Sequence, residues 1–106
     1  MIQINVITDC LDLLSSFSFT KPSKPFINPV EQNKLFFDVI DILGSYPKPQ
    51  HKNSVDTATP NNLGAYLFVS NARNTCKLAS IGLVANDTAY NLIQTNLENA
   101  LSLLID

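Results

Sequence analysis

The stretch 63-LGAYLFVSNARNTCKLASIGLVA-85 admits two readings, and the fold class turns on which one is taken. As a helix it would start on Thr59-Pro60, a cap followed by a proline, with Ala65, Phe68, Val69, Ala72, Cys76 and Ala79 on one side. As strands it divides into two apolar runs, Ala65 to Val69 and Cys76 to Val84. Between them stand Ser70, Asn71, Asn74 and Thr75, which compete for backbone hydrogen bonds and prefer turns to helix interiors. That polar middle tips the expectation to a β-hairpin over 64–84. A lone two-stranded hairpin is marginal in water, so it must lie on helices or pair its edge with another copy.

On the C-terminal side, residues 86–105 read as one amphipathic helix. Ala89, Tyr90, Ile93, Leu97, Ala100, Leu101 and Leu104 fall within an arc of about 120°, with Asn91, Gln94, Thr95, Glu98, Asn99 and Ser102 opposite. Asn86 and Asp87 are suitable N-cap residues, and a carboxylate there suits the positive helix start.

Toward the N-terminus, Ile2, Ile4 and Val6 alternate with polar residues as a strand would. A helix over roughly 3–17 explains more residues, because Asn5, Thr8, Asp9, Asp12, Ser15 and Ser16 then collect within about 120°. Pro22 and Pro25 make Ser18 to Asn28 a connector. Asn28-Pro29 caps a second helix, whose apolar centre is Phe36, Val39, Ile40 and Leu43 and whose stop is Gly44. Its polar residues Glu31, Lys34, Asp38 and Asp41 occupy only about 80°. A helix with so narrow a wet face must be sandwiched or must meet another chain. Tyr46 to Pro60, with Pro47, Pro49 and Pro60, is expected to be a long loop and the most mobile part of the chain. Residues 1–106 therefore predict a single α+β domain: two N-terminal helices, a β-hairpin and a C-terminal amphipathic helix. The alternative is an all-α four-helix bundle.

Composition narrows the function classes. Nine acidic against seven basic residues give a formal charge of −2, which argues against nucleic acid or an anionic membrane surface as partner. Charged residues make up only 15% of the chain against about 25% in average domains, which favours self-association. No apolar run approaches the ~18 residues of a membrane span, and Asp9 and Asp12 interrupt the apolar N-terminus where a signal peptide would not. The cytoplasm is the expected compartment, and Asn86-Asp87-Thr88 is then a chance match to a glycosylation acceptor.

Candidate chemistry is sparse. His51 is the sole histidine and has no neighbour in sequence to orient it as a base. Asp38 and Asp41, one turn apart, read as a wet stripe and not as a metal or acid–base pair, since no Glu-x-x-His pattern accompanies them. Cys10 and Cys76 lack a C-x-x-C or cysteine–histidine spacing and read as core thiols. Lys21, Lys24, Lys48, His51 and Lys52 lie in the two proline-bearing loops and would form at most a modest basic patch. No glycine-rich phosphate loop exists, so no catalytic, metal or cofactor-binding residue is assigned.

The remaining signal is apolar area. Phe36, Phe37, Val39, Ile40 and Leu43 form a strip too wide for a small monomer to cover, and burying six or seven such side chains is worth on the order of 10 kcal/mol. The expectation is a non-enzymatic interaction or regulatory protein that acts through protein contacts, as a homodimer or with a protein partner bound to this strip. The alternatives are a small-ligand-binding domain, or a small enzyme whose site forms between subunits from Asp38 or Asp41 with Cys76 or His51.

Overall fold

A computed structural model of the chain describes residues 2–16, 29–49, 51–52, 55–56 and 59–105. Four helices carry the fold: α1 (Ile2–Ser15), α2 (Pro29–Leu43), α3 (Pro60–Ser80) and α4 (Asn86–Ile105). Between α2 and α3, β1 (His51–Lys52) pairs antiparallel with β2 (Val55–Asp56), His51 opposite Asp56 and Lys52 opposite Val55. The expected long loop thus contains this short ladder. The connector Ser18 to Asn28, with Lys21 and Lys24, lies outside the described residues.

The expected α+β fold with a hairpin over 64–84 is overturned: that stretch is the body of α3 and its terminal turn, and the molecule is an all-α four-helix bundle. Three features outweigh the polar middle. Thr59 caps the helix, its hydroxyl accepting from the Asn62 amide at 3.2 Å, and Pro60 fills the first turn where its missing N–H costs nothing. Ala65, Val69, Ala72, Cys76 and Ala79, spaced four and three residues apart, form one continuous buried seam. The residues that suggested a turn are spread along the other sides, where Thr75 satisfies its hydroxyl by donating to the Asn71 carbonyl at 2.8 Å. A small-residue seam lets α4 approach closely. A Cβ built on Gly64 would stand 2.9 Å from Leu103 Cδ1.

The turn from α3 into α4 is a Schellman cap. Leu83 N–H donates to the Leu78 carbonyl (2.9 Å) and Gly82 N–H to the Ala79 carbonyl (3.1 Å), with Gly82 at φ +81°. α4 spans the residues expected of it. Its first bond starts one residue earlier than the sequence suggests, however, with Ala89 N–H donating to the Ala85 carbonyl and the Asp87 carboxylate accepting from Thr88. α1 takes the helical reading of its segment and buries Val6, Ile7, Cys10 and Leu14.

Three contacts set the helix directions. Tyr90, at the start of α4, donates its hydroxyl to the Leu14 carbonyl at the end of α1, a buried bond of 2.6 Å. Gly64, early in α3, meets Leu103 late in α4. Gln3, Tyr46 and Asn62 bring the start of α1, the end of α2 and the start of α3 together around one notch. Neighbours therefore run antiparallel, and the main packing pairs close a ring: α1 on α2, α2 on α3, α3 on α4, α4 on α1. At its centre Ile7, Leu14, Leu35, Phe36, Ile93 and Leu97 are fully buried.

Candidate functional site

The apolar strip of α2 divides between two environments. Phe36, Val39 and Leu43 are buried in the chain's own core, Ile40 is half-buried against it, and Phe37 is 54% exposed. On a helix Phe37 lies about 160° from Val39, so the two cannot share a face. α2 is sandwiched between α1 and α3, which is how its narrow wet stripe is accommodated. On that stripe Lys34 Nζ and Asp38 Oδ2 form an exposed ion pair at 2.8 Å, one helical turn apart. Solvent screens a pair so exposed, and it adds little to stability. Asp41 is also exposed. Among the described residues, no group of three or more histidine, cysteine or acidic side chains is placed to hold a metal ion.

Cys10 and Cys76 are free thiols at full burial. Burial pushes each thiol up to about 12, with Asp9 adding to the effect at Cys10 and the Cys10 thiol adding to it at Cys76. A thiol so held is neither a nucleophile nor a metal ligand near neutral pH. Cys76 therefore cannot complete a site with Asp38 or Asp41 of another copy while the core stays closed. The side chains of His51 and Lys52 lie outside the described residues, as do those of Lys21 and Lys24. Of the loop cations, Lys48 is placed, at the notch.

That notch has a volume of about 60 Å³ and is lined by Gln3, Tyr46, Pro47, Lys48, Pro49 and Asn62. Tyr46 stacks at a tilt on Tyr66 of α3, ring centres 6.3 Å apart, which fixes the turn that forms one wall. Small-molecule sites typically enclose ~300–1,000 Å³, so this one admits a few atoms at most.

The feature that reading the sequence missed is the outward face of α3. Leu67, Asn71, Asn74, Leu78 and Ile81, together with Leu63, fall within about 80° of arc, on the side opposite the buried seam. Leu67 is 63% exposed and Ile81 69% exposed; Leu63 and Leu78 are also exposed. Leu83 in the following turn and Leu92 on α4 are exposed as well. The antiparallel register that sets Leu103 against Gly64 brings Leu92 level with Thr75, in the C-terminal half of α3. Six partly exposed aliphatic side chains present on the order of 500 Å², the size of the largest apolar patch on an ordinary monomer, which often serves as a contact site. The signal was legible as a second 4–3–4–3 spacing in the same residues, 67, 71, 74, 78 and 81, displaced by two from the buried one. Reading the segment as strands concealed it.

The chain matches no protein-family model, no curated protein and no solved structure. Among the described residues, no helix is long and apolar enough to cross a membrane.

Proposed function

We propose that this chain is a non-enzymatic interaction protein that works through protein–protein contact, and that the contact face is the outer side of α3. The observation that carries this reading is the row of exposed leucines and isoleucine on a helix whose opposite side already forms the core. Covering apolar side chains at that density removes their area from water, a gain that the folded single chain leaves unused. The two thiols are sealed in the core, Asp38 is paired with Lys34, and Asp41 stands in solvent. The test is cross-linked capture on immobilised full-length protein, comparing the native chain with Leu67→Glu/Leu78→Glu. Both positions are exposed, so the variant keeps its fold, checked by circular dichroism. Protein capture lost in the variant supports the reading. Capture that is indifferent to the substitution removes it.

A small-ligand reading stands second and draws on the notch. Its lysine and two amide side chains suit a small polar or anionic group, which a thermal shift lost in Lys48→Ala would support.

A further inference from the structure

We infer that the occupant of the α3 face is α3 of a second copy, laid antiparallel across it, with Leu67 against the partner's Leu78 and Asn71 against the partner's Asn74. This deepens the interaction reading above and rests on it. The spacing of the stripe carries the inference. Positions 67 and 78, and likewise 71 and 74, are equidistant from a point between Ala72 and Arg73, so a two-fold axis there sets leucine on leucine and amide on amide. The same operation brings Ile81 to the Leu63 end of the partner helix. The 4–3–4–3 spacing is that of a coiled-coil seam, and two asparagines at its centre would bond to each other while apolar layers close on both sides.

Charge favours this direction over a parallel pairing. α3 carries Arg73 and Lys77 and no acid. Arg73 lies level with its own copy in either direction, so Lys77 decides. A parallel pair would set it level with its copy, whereas the antiparallel pair holds the two about 13 Å apart along the axis, beyond the Debye length of ~8 Å at physiological salt. Antiparallel helices also set opposite dipole ends together.

The area is that of a small interface. The exposed aliphatic side chains, on the order of 500 Å², with Asn71 and Asn74 at the centre and Lys77 at the edge, reach the ~1,000 Å² in total that two partners need, below the ~800 Å² per partner of a standard interface. The α3 residues that would meet are presented by a rigid element about 30 Å long, so little ordering entropy is lost on pairing.

Sedimentation equilibrium of the full chain at tens to hundreds of micromolar tests the pairing. The expected mass is twice 11.7 kDa, falling to 11.7 kDa in Leu67→Glu/Leu78→Glu at unchanged helicity. Direction is read by mixing Asn71→Cys and Asn74→Cys copies under mild oxidation. The mixed disulfide should dominate over either homodisulfide, since the two native thiols are buried. A native chain that stays at 11.7 kDa overturns the inference, as does a dimer that survives both glutamates or a predominance of the Asn71→Cys homodisulfide. A monomer that still captures a different protein through Leu67 and Leu78 overturns self-pairing alone. A monomer whose captures ignore those residues removes the interaction reading with it.

Discussion

Phe36 and Phe37 are chemically identical neighbours that face opposite fates, the first fully buried at the bundle centre and the second exposed beside the wet stripe of α2. Phe36→Ala is expected to cost about 3–5 kcal/mol, through lost burial and the cavity left behind, a large share of a domain's ~5–15 kcal/mol. Phe37→Ala should stay within about 1 kcal/mol. Urea denaturation of the two variants side by side checks the contrast, and equal losses would mean that the α2 rotation is wrong. The two thiols make the fold sensitive to alkali. Cys10 and Cys76 titrate near 9 when exposed and are held up to about 12 in the core, so the folded state favours their protonated form. Their contribution is therefore fully present below about pH 9 and is lost as pH rises from there toward 12. Burial pushes the Tyr90 and Tyr46 hydroxyls up as well, which acts in the same direction. Urea midpoints measured across that range should fall continuously, and a level profile would contradict the buried placement. The core role of both cysteines was readable from their apolar surroundings and from the absence of any metal or redox spacing.

Helix α3 shows how an element can be capped at both ends by sequence and still be misread in its middle. Thr59-Pro60 and Gly82 are local signals with local physics: a hydroxyl on a free amide, a ring that fits the first turn, and a residue without a Cβ at φ +81°. Gly82→Ala meets no neighbouring atom within 4 Å, so its cost is conformational alone, about 1–2 kcal/mol of stability. A thermal melt unchanged by that substitution would show that the cap does not hold the α3–α4 turn. The interior misled because both faces of α3 carry apolar residues, small ones inward and leucines outward. Each flank then resembles a continuous apolar strand, with Asn71 and Asn74 as the apparent turn. α4 concentrates most of its apolar residues on one face, with Leu92 and Ile105 outside it, and there the expected span agrees with the observed one.

At the scale of the molecule, the α3–α4 hairpin is the most extensive packing unit, and α1 is tied to it by the Tyr90–Leu14 bond. Native-state hydrogen exchange should find the slowest amides at its seam, around Ala72, Cys76, Ile93 and Leu97, exchanging only with global unfolding. Slower exchange in α1 than there would reverse that order. Tyr90→Phe leaves a buried carbonyl without its donor and should cost about 1–2 kcal/mol, read as a loss of denaturation midpoint. Helical periodicity, caps and stops can be read from contiguous residues, because they depend on bonds spanning four positions; hence α1, α2 and α4 were recognisable before any packing was known. The four-helix bundle was legible only as the alternative, with the small-residue seam of α3 on one side of that reading. Nothing local decided for it over the hairpin or singled out the leucine seam opposite. Both seams satisfy the same local rule. Which one closes into the core depends on whether small residues can bring α4 within reach of Gly64 and Leu103, a fit between segments some forty positions apart. Burial of Phe36, Val39 and Leu43 was settled in the same way: only the arrival of α1 and α3 on both sides of α2 determines how much of its apolar surface remains for anything else.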